Sequence, residues 1–179
     1  GSGPAEGAPH ALAAAEQEAQ APGVRYFCVT GDNRHQGTGV VVKAMQALRE
    51  RADAQGVADW WSGVTADSVQ AELTRLHGQG EFGAAEYTDG RVGVRIWNLT
   101  DSDIRCRWED TDGSLTDLSI NARATDRGAE PGHHAAMGQA GAGKWKIYVG
   151  QSDVAEADYV VGLDNAQHVF VYKGGGRRR

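Results

Sequence analysis

Residues 104–120 read Ile104-Arg105-Cys106-Arg107-Trp108-Glu109-Asp110-Thr111-Asp112-Gly113-Ser114-Leu115-Thr116-Asp117-Leu118-Ser119-Ile120. Apolar Ile104, Cys106 and Trp108 alternate with Arg105, Arg107 and Glu109. A period of two places the first set on one face of a strand and the second on the other. A two-residue loop at Asp112-Gly113 would set Trp108 opposite Asp117 and mix the faces. A three-residue loop, Thr111-Asp112-Gly113 with Gly113 left-handed, pairs Cys106 with Leu118 and Ile104 with Ile120. The bulged hairpin is therefore expected, and with it an antiparallel β region.

Working outward, the same period marks further strands. Residues 82–87 and 92–98 flank Thr88-Asp89-Gly90-Arg91, and Asp-Gly is a strong hairpin signal. That register sets Tyr87 opposite Val92 and Ala85 opposite Val94. Trp145, Ile147 and Val149 alternate with Lys144, Lys146 and Tyr148. Residues 159–163 and 168–172 are expected to close a final hairpin around Asp164-Asn165. The Gly- and Ala-rich stretch 124–143 is expected to be irregular. The total is about seven strands after residue 81, arranged as a β-sandwich or a partly open barrel.

Upstream, Val24 to Thr30 is rich in β-formers and reads as a strand. Val41, Met45, Leu48 and Ala52 recur at helical spacing, and Gly56 would end that helix. Residues 57–61 fit either a helical turn or a brief strand. A second helix is expected, with Thr65 as N-cap, Asp67 in the first turn, Gly78 at the C-terminal end, and Val69, Leu73 and Leu76 as its apolar stripe. Residues 1–23 hold almost no large apolar side chain and read as a flexible arm. The expected organisation is an α+β chain: arm 1–23, strand plus two short helices 24–81, antiparallel β region 82–173, and a flexible basic tail 174–179.

The 179 residues carry a formal net charge of −6. This balance weighs against non-specific attraction to phosphate backbones. No run of 18 apolar residues occurs, so no membrane span is expected. The N-terminal residues lack a basic segment followed by an apolar core, so a soluble, cytoplasmic chain is expected; a leader removed before residue 1 would leave no trace. Two cysteines, Cys28 and Cys106, do not make a disulfide scaffold and read as small buried thiols.

Three features bear on function. The loop from Gly31 to Gly39 joins a strand to a helix start, and a Gly-rich turn there can aim backbone N–H groups at a phosphate or carboxylate. Its candidate ligand residues are Gly31, Asp32, His35, Gly37, Thr38 and Gly39. Gly37-Thr38-Gly39 matches the first half of a dinucleotide fingerprint, but Val42 stands where a third glycine belongs. Second, residues 40–98 run helix, short turn, helix, tight hairpin. This order resembles a winged-helix domain, with residues 65–77 as recognition helix and Asp89-Gly90 as wing tip. The resemblance implies nucleic-acid binding, but that helix carries Asp67 and Glu72 against Arg75 alone. Third, Arg95, Trp97, Arg105, Arg107 and Arg123 are expected on outward sheet faces, where basic and aromatic side chains can bind an acidic partner. The plain alternative is a solvated face with Arg107 paired across to Asp117.

Other signals are incomplete. His133-His134 with Met137 lacks a further ligand at useful spacing, so no metal is expected. Residues 138–144 spell G-x-x-x-x-G-K, but Trp145 replaces the required Ser or Thr and a strand follows. Cys28 with His35, or Asp32 with His35, forms no complete catalytic set. The sequence thus points to a non-catalytic protein-binding or assembly module, its partner a protein (itself or another), with no cofactor. The alternatives are a winged-helix-like nucleic-acid binder and a nucleotide-binding enzyme using the Gly31–Gly39 loop.

Overall fold

The computed structural model describes residues 26–123, 130–137, 141–148 and 157–174. The expected arm, the tail beyond Gly174, Val149 and parts of the 124–143 stretch lie outside the described residues. The chain is α+β; among the described residues it has two helices and two four-stranded, mostly antiparallel sheets. In chain order these are β1 (Tyr26–Asp32), α1 (Val40–Ala54), a 3-10 turn (Trp60–Gly63), α2 (Ala66–Gly78), β2 (Gly93–Asn98), β3 (Ile104–Glu109), β4 (Leu115–Ile120), β5 (His133–Met137), β6 (Gly143–Tyr148), β7 (Ala157–Val161) and β8 (Ala166–Tyr172). Sheet A has the order β1-β8-β2-β5, and sheet B has β4-β3-β6-β7. The β2–β8 pair is parallel and the other strand pairs are antiparallel. Neither sheet closes into a barrel.

Two apolar clusters organise the packing. Phe27, Val29, Trp97, Val169 and Val171 of sheet A pack with Val41, Met45, Val69 and Leu76 of the helices. Cys28, Val94, Ile96, Phe170 and Tyr172, on the opposite face of sheet A, pack with Ile104, Cys106, Ile120, Trp145 and Tyr159 of sheet B. Strands covered on both faces need apolar residues at successive positions, and β8 supplies Val169-Phe170-Val171-Tyr172, all buried. Both cysteines are buried thiols, and burial pushes the Cys106 thiol up to about 12.

The helices follow their local signals. Thr65 caps α2 through its hydroxyl, which accepts from the Ser68 amide at 3.0 Å, while Ser68 Oγ accepts from the Thr65 amide at 2.9 Å. Gly78 is the last helical residue, and it is Gly80, at φ +73°, that takes the left-handed conformation beyond it. Gly56, at φ +74°, follows α1. The ambiguous stretch before Thr65 is the 3-10 turn around Trp60. No described helix is long and apolar enough to cross a membrane.

The 111–113 hairpin has the expected register, Cys106 opposite Leu118 and Ile104 opposite Ile120, with Gly113 at φ +91°. Three expectations fail. Residues 82–87 form no strand, so the hairpin around Asp89-Gly90 is absent. Both edges of β2 are already taken by β5 and β8, and the Glu86 and Tyr87 amides instead donate to Arg34 O at 2.8 and 3.1 Å. The stretch 124–143 is not irregular throughout, because His133–Met137 is β5. The residues around Asp164-Asn165 do not form a hairpin: β7 belongs to sheet B and β8 to sheet A, and Asn165 turns the chain between them at φ 59°. Among the described residues, seven strands do follow residue 81, but one expected strand is lost and another gained.

Candidate functional site

The β1–α1 loop opens a cleft. Its cavity, about 350 Å³, is lined by Gly31, Asp32, His35, Val40, Leu73, Thr74, His77 and Phe82. Asp32 closes the strand and is gripped by Arg34, whose Nε lies 2.9 Å from Oδ1 and whose Nη2 lies 2.8 Å from Oδ2. That hydrogen-bonded guanidinium holds the Asp32 carboxyl below the usual carboxylate range. His35 Nε2 stands 3.5 Å from Asp32 Oδ2, and among the described residues its buried Nδ1 has no hydrogen-bond partner. The lining combines an apolar floor with a carboxylate, two imidazoles and a hydroxyl, a composition ordinary for small-ligand sites.

Of the six loop residues marked in the sequence, the cleft brings together Gly31, Asp32 and His35. Gly37 and Thr38 are exposed on the loop. Gly39 serves a different purpose. A Cβ there would lie 2.0 Å from Gln167 Nε2, so only glycine lets the Gln167 carboxamide reach the start of α1. Gln167 Oε1 accepts from the Val41 and Val42 amides at 2.9 and 3.1 Å. The amides expected to cradle an anion are therefore engaged by a side chain of β8. Sequence reasoning missed Gln167, which carries no local signal.

The expected basic patch divides. Trp97 is fully buried, not outward-facing, because the helices cover that side of sheet A. Its Nε1 donates to Glu130 Oε1 at 2.8 Å, and Arg95 pairs with the same carboxylate. Arg123 lies over Trp61, 3.7 Å from the ring centroid, and donates to Leu99 O at 2.9 Å. Arg105 and Arg107 remain together on the outer face of sheet B, 5.0 and 5.8 Å from the Tyr148 ring centroid. Arg107 Nε also donates to Asp117 Oδ1 at 2.8 Å, and this hydrogen bond holds the Asp117 carboxyl low. Register sets Lys146 beside Arg107 and Lys144 beside Glu109. Leu115 and Val160, at the margins of the same face, are 57% and 67% exposed.

A buried polar chain escaped sequence reading. His168 Nε2 is 3.0 Å from Asp164 Oδ2, and His168 Nδ1 is 3.2 Å from the Tyr159 hydroxyl. Burial pushes the Tyr159 phenol upward, and Cys28 beside it adds to the shift. An Asp–His–hydroxyl order is shared with nucleophilic triads, but a phenol held protonated in a sealed core is a poor nucleophile. Here the chain fastens the crossover between the sheets. Elsewhere, Glu72 is buried and binds both Arg51 and Arg75, so the one cation of the expected recognition helix, though exposed, is already paired within the protein.

His133 Nδ1 is 2.8 Å from Pro131 O, and the His134 ring packs 6.0 Å from Trp145. Burial, with His133 nearby, holds the His134 imidazole below its usual range. Among the described residues, no three His, Cys, Asp or Glu side chains converge as a metal site would require. No protein-family model, curated protein or solved structure matches the chain.

Proposed function

We propose that this chain is a non-catalytic protein-binding or assembly module, with the outer face of sheet B as its contact surface. Its frame is read as a β-sandwich with the helices on the far side of sheet A. One observation carries the proposal: the register of β3, β4 and β6 gathers Arg105, Arg107, Lys144 and Lys146 on one rigid face beside Tyr148, in a chain whose net charge is −6. Exposed Leu115 and Val160 add apolar area at the margins. Aromatic and arginine side chains on a sheet suit a protein interface, and the charge suits an acidic partner.

Light scattering behind size exclusion, at low and moderate salt, tests self-assembly first. A defined oligomer that dissociates in Arg105→Glu/Lys146→Glu supports a homotypic contact. For a monomer, titration with polyglutamate should move backbone amide resonances in β3, β4 and β6, and less so as salt rises. Shifts elsewhere, or none, would count against the assignment.

A second reading is a small-ligand site in the β1–α1 cleft, supported by its cavity and by Asp32, His35, Thr74 and His77 around it. Within this reading a nucleotide phosphate is disfavoured, since Gln167 already holds the helix-start amides. Nucleic-acid recognition by a winged helix draws little support without a wing hairpin and with Arg75 bound to Glu72.

A further inference from the structure

A second cavity, about 550 Å³, opens at the end of sheet B, between the β3–β4 turn and the chain that leaves β7. Trp108, Asp110, Thr111, Asp112 and Leu163 line it, with Ala142, Val161 and Gly162 completing the wall. The volume lies within the range of small-molecule sites. Its chemistry is one-sided: an indole and two carboxylates, and no Lys or Arg among its described lining residues.

The indole is fixed in place. Trp108 Nε1 donates to Ala142 O at 2.7 Å. It rests against Gly143, where a Cβ would lie 2.7 Å from that nitrogen. A bare backbone at position 143 therefore makes the seat for the ring. With its polar edge satisfied and the residue only half-buried, Trp108 offers a ring surface rather than a hydrogen bond. The carboxylates are also aimed by local bonds. Asp110 Oδ1 accepts from the Thr111 amide at 2.6 Å, and Asp112 Oδ1 from the Ser114 amide at 2.9 Å. Leu163, 49% exposed, adds an apolar margin.

We propose that this cavity binds a small organic cation, an ammonium or guanidinium group stacked on Trp108 with Asp110 and Asp112 as counter-ions. A cation gains from both an indole face and the two carboxylates. An anion would meet two like charges, and a neutral polyol would leave the carboxylates uncompensated.

The test is a titration of the ¹⁵N-labelled protein with choline, agmatine and glucose, followed at the Trp108 indole N–H, assigned through Trp108→Phe. Choline or agmatine should give saturable shifts at Trp108, Thr111 and Leu163, weakening as salt rises. The Asp110→Asn/Asp112→Asn pair should raise the dissociation constant about tenfold or more, the loss of one to two charge-assisted contacts. Asn preserves the turn's acceptor oxygens, and Asp112→Asn alone, on the exposed turn, serves if the pair does not fold. Three results would each overturn the proposal: saturation by glucose but by neither cation, no saturable shift with any probe, or cation binding unchanged in the Asn variants.

Discussion

Sheets A and B have the same number of strands, yet their sequences differ in kind. Every residue of β8 after Ala166 is buried, whereas in β4 Ile120 alone is fully buried. The difference records how many faces are covered. Sheet A lies between the helices and sheet B, so its strands place apolar side chains in both directions. The described part of sheet B packs on one side and shows charges on the other. Alternation is the signature of one covered face, and its loss is the signature of two.

The sharpest way to break this comparison is to remove bulk from the doubly covered sheet. Trp97→Ala should cost about 3–5 kcal/mol of stability, by creating a cavity under the helices. It also removes the donor to Glu130 Oε1, leaving part of that carboxylate unanswered. Urea denaturation with an unchanged slope would measure the cost. A loss below about 1 kcal/mol would mean that the helix layer is not tightly seated on sheet A.

Next in size is Gln167→Ala, which should cost about 1–2 kcal/mol, the range of a helix N-cap. The effect should be local: the Val41 and Val42 amides should exchange with solvent faster, and those of β3 and β4 should not. Equal acceleration in both regions would show that Gln167 supports the whole core rather than the start of α1.

Gln167 also marks where sequence reading stops. It lies 126 residues from Val41, and nothing near either residue announces the contact. The 111–113 turn was legible because each flanking strand alternates, so a one-residue slip would expose the apolar face. Asp89-Gly90 was not legible, although Gly90 does adopt φ +73°. A turn dipeptide bends the chain but does not choose a strand's partner, and β2 found β8 and β5. The continuous run Val169 to Tyr172 carried the missing information, since it signals a central strand, but it does not name the neighbours. Of the candidate site, Asp32 and His35 were marked by the loop, whereas Leu73, Thr74, His77 and Phe82 reach the same cleft only through tertiary packing. The indole and carboxylates around the second cavity had read as an ordinary strand end and turn.

A smaller effect sits at the crossover that joins the two sheets. Burial raises the Asp164 carboxyl, but its hydrogen bond and charge contact with His168, aided by backbone amides, hold it below the usual carboxylate range. A carboxyl whose folded value is depressed contributes stability above its unfolded value and loses it as pH falls through the folded one. The contribution should therefore be complete at neutral pH and fade from about pH 4 downward. Asp164→Asn should flatten part of the acid limb of the stability curve while leaving other depressed carboxyls, among them Asp32, Glu72, Asp112 and Asp117, to shape the rest. An unchanged acid limb would mean that the sheet-to-sheet link does not depend on the Asp164 charge.

The smallest expected effect tests the open side of the comparison. Val160 stands on edge strand β7, 67% exposed, opposite Lys144. Thr keeps the β-branched shape that suits a strand, so Val160→Thr should change stability by no more than about 0.5 kcal/mol. Its informative readout is association. If the outer face of sheet B holds a partner, removing a methyl group from its margin should weaken that contact while the isolated chain melts as before. A fall in stability of the free chain comparable to that of Gln167→Ala would instead mean that the margin at Val160 is already packed within the chain. The contrast between a sheet covered twice and a sheet covered once would then fail at β7, and the binding surface would have to lie elsewhere.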